Sequence, residues 1–206
     1  ADTYTVTQND TTTSVTTNGI VFTEMSEVLA GNGTAVDSVV TDGLNIELNG
    51  AANELKVSDS GDATGIQFKE IEAATLKLDG GSGNSGELTG STGVDTFTLT
   101  QSGLEANDIA FSNVANNSVD ANGGNDIFSG STDGWTVVAN GQIQAGTPSD
   151  TSTIFSFTDV TAAAITDQAL KGQDSVADTY TVTQNDTTTS VTTNGIVFTE
   201  MSEVLA

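Results

Sequence analysis

The chain has 206 residues, of which 28 are Asp or Glu and only four are Lys, for a net charge of −24. It contains no Cys and no His, which excludes thiol, imidazole, Zn–Cys and Zn–His chemistry and leaves packing and hydrogen bonds to hold the fold. That charge disfavours nucleic acid and anionic membranes as partners and favours divalent cations and basic surfaces, and no stretch approaches the ~18 apolar residues of a membrane span.

Taken in chain order, five segments alternate apolar and polar residues at period two. They are Thr3–Gln8 (TYTVTQ), Glu54–Asp59 (ELKVSD), Thr75–Gly80 (TLKLDG), Thr96–Gln101 (TFTLTQ) and Trp135–Gly141 (WTVVANG). Period two is the strand signature, and Thr, Val, Ile, Phe and Tyr suit a pleated surface. Asn-Gly pairs at Asn18, Asn32, Asn49, Asn122, Asn140 and Asn194 mark tight turns with positive φ. The segments around SEVLA (Ser26–Ala30) and TAAAITDQAL (Thr161–Leu170) could form a helical turn, but neither has the length or stripe of a true helix. The chain therefore reads as nearly all β.

Repetition is the strongest signal. Residues Ala1–Ala30 recur without change as Ala177–Ala206, an offset of 176. Inside that unit a shorter motif recurs: GIVFTEM around Phe22, GIQFKEI around Phe68, DIAFSNV around Phe111 and IFSFTDV around Phe157, with Phe198 opening the next unit. Two before Phe stands Ile20, Ile66 or Ile109, or else Phe155; three after stands Met25, Ile71, Val114 or Val160. Successive Phe residues lie 46, 43, 46 and 41 apart, so the module has about 44 residues and four make the unit. Modules alternate in kind. Asp2–Gln8 (DTYTVTQ) matches Asp95–Gln101 (DTFTLTQ) at five of seven places, and Thr41–Gly50 matches Thr132–Gly141 at five of ten. Residues 1–176 thus form one tandem unit, and 177–206 start an identical one.

Repeats of this length indicate solenoids or arrays. The expected fold is all-β: a β-solenoid with coils of about 22 residues, and inward Ile, Leu, Val and Phe stacked into a continuous core. A string of β-sandwich domains is the alternative. Phe22, Phe68, Phe111, Phe157 and Phe198 are the expected repeat core, with Ile20, Ile66, Ile109, Met25, Ile71, Val114 and Val160 around them.

Few motifs suggest chemistry. Gly123–Phe128 (GGNDIF) resembles the Gly-Gly-x-Gly-x-Asp-x-apolar nonapeptide of calcium-binding RTX solenoids, but it lacks the intervening Gly and does not recur every nine residues. Calcium needs six to eight oxygens, and one loop supplies two or three, so a tight polar turn is the competing reading. If calcium binds, Asp120 and Asp126 are the expected carboxylates, with Asp79 and Asp37 behind them. Thr3, Thr5 and Thr7, and again Thr96, Thr98 and Thr100, fall on one strand face. That face could meet ice or a carbohydrate, or be a solvated face with Tyr4, Val6, Phe97 and Leu99 inward. Glu70 and Glu72 look like a catalytic pair, yet Asn113 and Asp159 stand at the place of Glu70 in sister modules, which favours a structural role. Trp135, the lone Trp, matches Leu44 and is expected in the core. No nucleophile–base pair, phosphate loop or metal triad is visible, so an enzyme is not expected.

The run Gly65–Thr100 (GIQFKEIEAATLKLDGGSGNSGELTGSTGVDTFTLT) resembles the repeats of giant secreted bacterial surface proteins of the filamentous-haemagglutinin and large-adhesin kind. The resemblance implies an extracellular, right-handed β-solenoid or related β-rich rod serving adhesion, biofilm or matrix roles. The expected function is a structural segment of a repetitive fibre, stalk or matrix filament at the bacterial cell surface, with neighbouring copies of itself as partners. The alternative is an adhesin repeat presenting a glycan- or surface-binding face, with calcium as a stabilising ion.

Overall fold

Period-two alternation produces short strands with one apolar face each, and these gather into two sheets that enclose a single core. The structure, a computed structural model, describes residues 1–9, 12–31, 35–59, 65–77, 86–148, 150, 152–165, 168–172, 179–185 and 188–205. β1 (Thr3–Asn9), β2 (Thr12–Thr17) and β3 (Ile20–Thr23) form an antiparallel meander in the first sheet, and β4 (Glu27–Leu29) lies in the second. β5 (Ser38–Asp42) returns to the first sheet, and β6 (Asn45–Leu48), β7 (Glu54–Ser58) and β8 (Ile66–Lys69) make a meander in the second. β9 (Ala73–Lys77) and β10 (Leu88–Thr89) are single passes through each sheet.

The pattern then recurs. β11 (Thr96–Thr100), β12 (Gly103–Ala106) and β13 (Ile109–Ser112) form a first-sheet meander, followed by β14 (Ser118–Asp120) and β15 (Asn125–Ser129). β16 (Trp135–Ala139), β17 (Gln142–Gly146) and β18 (Ile154–Thr158) form a second-sheet meander, followed by β19 (Ala162–Ile165) and β20 (Ala169–Lys171). β21 (Thr181–Asn185), β22 (Thr188–Thr193), β23 (Ile196–Thr199) and β24 (Glu203–Leu205) repeat the opening. Among the described residues there is no α-helix; Ala115–Asn117 form one turn of 3-10 helix.

From one end to the other, the first sheet runs β3-β2-β1-β5-β9-β13-β12-β11-β15-β19-β23-β22-β21 and the second β4-β8-β7-β6-β10-β14-β18-β17-β16-β20-β24. Each meander folds backward onto the stack. Its last strand pairs in parallel with a strand already laid, as β13 does with β9, and its first strand receives the next, as β11 does with β15. At about 4.8 Å per strand, thirteen strands span roughly 60 Å. β1 is third and β21 thirteenth in the order, so 176 residues advance the stack by ten strands.

This is a β-solenoid, and its two sheets run unbroken along the whole stack, so a string of sandwich domains does not describe it. Its passes are uneven, with three-stranded meanders alternating with single strands, where the sequence suggested even coils of about 22 residues. The 44-residue period has a plain structural meaning. Each module carries one meander, placed in the first and second sheets by turns, which is why alternate modules resemble each other. Phe22, Phe68, Phe111, Phe157 and Phe198 lie in β3, β8, β13, β18 and β23, the last strand of each meander.

The motif residue after Phe-x is a backbone requirement. Glu24, Glu70, Asn113, Asp159 and Glu200 all have positive φ, between 53° and 60°, where the chain leaves the meander. This left-handed turn brings the next apolar residue back against the core: Ile71, Val114 and Val160 are buried, and Met25 and Met201 pack on its margin. Left-handed backbone costs an L-residue roughly 1–2 kcal/mol, and Asn tolerates it better than Glu. Glu70→Asn, the residue found at position 113, is expected to raise the unfolding free energy by about 0.5–1 kcal/mol in urea titrations; a loss of stability would contradict this role. Glu70 shapes this turn, and the Glu72 carboxylate accepts the Asp37 N–H, so both acids have a part in the backbone arrangement.

The residues expected in the core are buried apart from Phe22, Ile20 and the partly buried Met25. Phe68, Phe157 and Phe198 are fully enclosed, Phe111, Ile66 and Ile109 are buried, and Trp135 and Leu44 are buried as well. Trp135 packs on Phe128 and Phe157 with ring centroids 5.2 and 5.7 Å apart, and its Nε1–H donates to Gln168 Oε1 at 2.8 Å. Phe22 and Ile20, placed in the core by the motif, are instead 40% and 57% exposed, because β3 is the end strand of its sheet. The SEVLA and TAAAITDQAL segments supply β4, β19 and β20 and contain no helical turn among the described residues. Parallel pairing with β8, β15 and β16 overrides the helix preference of alanine.

Candidate functional site

The two outer faces differ in charge. In the first sheet, alternation turns Tyr4, Val6, Phe97 and Leu99 inward and presents Thr3, Thr5, Thr7, Thr96, Thr98 and Thr100 outward, as the sequence suggested. Register places these hydroxyls beside others on neighbouring strands. Thr3 meets Ser38 at 3.2 Å, Thr7 meets Ser14 at 3.0 Å, Thr98 meets Ser129 at 3.0 Å, and Thr75 meets Ser112 at 2.9 Å. Ala73, Ala110, Ala162 and Ala164 fill positions between them, and among the described side chains of this face Glu105 is the one charged group. The second sheet's outer face carries Glu27, Glu47, Glu54, Lys56, Lys69 and Lys171, with Lys56 and Glu47 paired at 2.9 Å and Lys69 and Glu27 at 2.8 Å. In a chain of net charge −24, the described side chains of this sheet surface are mostly hydroxyl and methyl groups.

Two of the acids predicted as metal ligands, Asp37 and Asp126, lie at corners of the solenoid and serve its backbone. Thr3 pairs with Ser38 and Thr96 with Ile127, so Asp2 stands beside Asp37 and Asp95 beside Asp126. In the first pair the Asp2 N–H donates to Asp37 Oδ1 at 2.6 Å, and the Asp37 N–H donates to Glu72 Oε2 at 2.7 Å on the following strand. In the second, the Asp95 N–H donates to Asp126 Oδ1 at 3.0 Å. The hairpin asparagines complete both ladders: Asn18 Nδ2 donates to Asp2 Oδ1 at 3.1 Å, and Asn107 Nδ2 to Asp95 Oδ1 at 2.6 Å. Asp37, Glu72 and Asp126 therefore each cap a backbone N–H at the corner.

The two ladders end differently. Asp37 is followed by Glu72, whereas Asp126 is followed by Ala163. Asp95 accepts from Ser91 N–H at 2.6 Å and Ser91 Oγ at 3.0 Å besides Asn107. Asp126 is completely buried, and its Oδ2 has no hydrogen-bond partner. Burial pushes the Asp126 carboxyl up to about 7; the N–H of Asp95 opposes that rise and the Asp95 carboxylate adds to it. Gly124 permits the close approach of these strands, since a Cβ there would overlap the carbonyl oxygen of Gly93.

Asp120 is not brought to Asp126. It lies at the end of β14 in the other sheet, and its Oδ1 accepts the Asn122 N–H at 2.9 Å in a turn. Asp79 lies outside the described residues. Among the described residues, no three acidic side chains are grouped as metal ligands. Asp95 and Asn107 were not singled out from the sequence, although the shared Asp-Thr-aromatic-Thr opening of Asp2 and Asp95 marks the position.

A third feature is the pair of stack ends. The same thirty residues form both, and each copy is covered on one side only. Ile196 and Phe198 are 0% exposed where Ile20 and Phe22 lie open, while Val6 is 0% exposed where Val182 is 66% exposed. An open, polar groove beside the second-sheet end is lined by Thr132, Asp133, Gln168, Lys171, Ser202 and Glu203. No family model matches the chain, and no curated protein or solved structure matches it.

Proposed function

We propose that this chain is a structural segment of an extracellular repetitive fibre or stalk at a bacterial cell surface. The carrying observation is the translation between the two thirty-residue copies. After ten strands the stack presents the same element again, and what one copy leaves bare the other has covered. An element enclosed on both sides belongs to a stack that repeats, as in other one-dimensional repeat folds. The backbone ladder carries tension and bending along the axis, and acidic corners keep neighbouring rods apart in solution. Divalent cations that screen these acids would let rods lie side by side.

A covalent tandem, residues 1–176 followed by 1–206, tests this reading. Small-angle scattering should show a single rod longer by about 48 Å, ten strands at 4.8 Å. Two compact bodies on a flexible joint would overturn it.

A second reading is favoured by the described side chains of the first-sheet face: an adhesin repeat that lays this hydroxyl and methyl surface on a glycan. Binding to an insoluble polysaccharide that is lost in Thr98→Lys, with the melting temperature unchanged, would support it over the purely structural role. Equal melting with and without chelator would remove calcium from either reading.

A further inference from the structure

The upper copy shows how the thirty-residue element is seated. β23 lies parallel on β19, with Ala162 opposite Val197 and Ala163 opposite Phe198, and β24 lies on β20, with Leu170 opposite Val204. Backbone bonds join the seat: Val197 N–H to Thr161 O at 3.2 Å, Ser202 N–H to Gln168 O at 2.9 Å, and Gly172 N–H to Leu205 O at 2.9 Å. Ile196 and Phe198 are thereby enclosed. At the other end of the stack the identical strands β3 and β4 have no strand beyond them among the described residues, so each presents a backbone edge that can add one.

The seat is level. β19 and β20 are each the tenth strand of their sheets, and β3 and β4 are each the first, so a β3–β4 end meets a β19–β20 end without a gap. Simple abutment of two whole stacks does not work, because β22 and β21 project two strands beyond β24.

We propose that the β19–β20 seat accepts the β3–β4 edge of a second copy of this chain, in exchange for the chain's own residues 177–206. The incoming element has the sequence of the one it displaces, so it reproduces every seat contact in the same register. It also arrives better packed, because its β1 and β2 are already covered by β5 to β8; Val6 is enclosed there, whereas Val182 of the resident copy is not. The resident copy has the advantage of being tethered, which raises its effective concentration at the seat. The tether wins in dilute solution and exchange grows with concentration. The contact is head to tail and related by translation along the axis, so it propagates as an open filament and does not close. This deepens the fibre reading and rests on it for its setting, but the exchange can fail while the tandem still forms one continuous rod.

The test is I196D/F198D in the full chain, which unseats the resident copy and leaves residues 1–30 intact. Sedimentation should shift from the 20.9 kDa monomer to a ladder of multiples of that mass, and adding I20D/F22D should return it to monomer. A variant that keeps its β circular dichroism and stays monomeric overturns the proposal. Should that variant unfold, the decision falls to two otherwise unaltered populations, one labelled at S26C and the other at T132C. Thr132 lines the groove with Ser202, the equivalent of Ser26, so exchange brings the two labels together. Energy transfer that rises with concentration supports exchange; none at any concentration overturns it.

Discussion

Phe157→Ala is expected to lower the unfolding free energy by about 3–5 kcal/mol, while Phe22→Ala, at the same place in the repeat motif, lowers it by less than about 1 kcal/mol. Phe157 is fully enclosed, with ring centroids 5.1 Å from Phe97, 5.2 Å from Phe128 and 5.7 Å from Trp135. Truncating it removes apolar burial and three aromatic contacts and leaves a cavity among large, closely packed rings. Phe22 faces solvent at the end of the stack, so its loss leaves no cavity. Urea unfolding of the two variants measures the contrast directly. Equal effects would mean that β3 is covered in solution, and the covering would then show in the mass of the particle.

Stability should fall as pH rises from about 4 through about 7, and Asp126 should be responsible for much of that fall. Its folded pKa lies near 7, above the 3.8 of an unperturbed Asp. Between these values the folded chain holds a proton that the unfolded chain has released, so raising the pH favours unfolding. The stabilisation is fully present below about 4 and gone above about 7. A tenfold change in proton affinity is worth about 1.4 kcal/mol, and the shift from 3.8 to about 7 spans about three such steps, so the loss is on the order of 4 kcal/mol. Asp95, which donates its N–H to Asp126 and sits beside it on the neighbouring strand, is the charged group that contributes to the shift.

Asp126→Asn keeps the acceptor for the Asp95 N–H and cannot ionise. Its stability should match the parent below about pH 4, exceed it increasingly as pH rises, and exceed it by the full amount near pH 8. Other acids add their own repulsion as pH rises, so the difference between variant and parent is the informative quantity. A difference that stays constant across this range would show that Asp126 is ionised throughout.

Several structural facts were legible in particular residues. The Phe motifs at 22, 68, 111, 157 and 198 located the last strand of every meander. The likeness of Asp2–Gln8 to Asp95–Gln101 located β1 and β11, the first strands of two of the three first-sheet meanders. Gly19 and Gly195 follow Asn18 and Asn194 in hairpins where both residues have positive φ, the two-residue turn that suits twisted antiparallel strands. Motif spacing alone did not reveal that the period is one meander plus single passes, because a period counts residues and is silent on how many strands they form. The alanines of β19 likewise suit a helix or a strand, and parallel pairing with β15 and β23 decides the matter.

The candidate calcium acids show the same division. Asp37 and Asp126 were visible as acids in Gly-rich corners, but their work as backbone caps depends on which residue stands one strand away. Glu72 follows Asp37 and accepts its N–H, whereas Ala163 follows Asp126 and offers no carboxylate, and one oxygen of Asp126 itself is buried and unpaired.

The sequence by itself determined the repeat, the all-β class and the alternation of inward and outward side chains, because these depend on periods of 176, about 44 and two residues read along one strand of text. Only the tertiary structure decided that Phe22 is open and Phe198 enclosed. The same thirty residues form both elements, so no local preference can tell them apart. Burial belongs to whichever strand lies next in the stack, and among the described residues β23 has β19 beside it while β3 is an end strand.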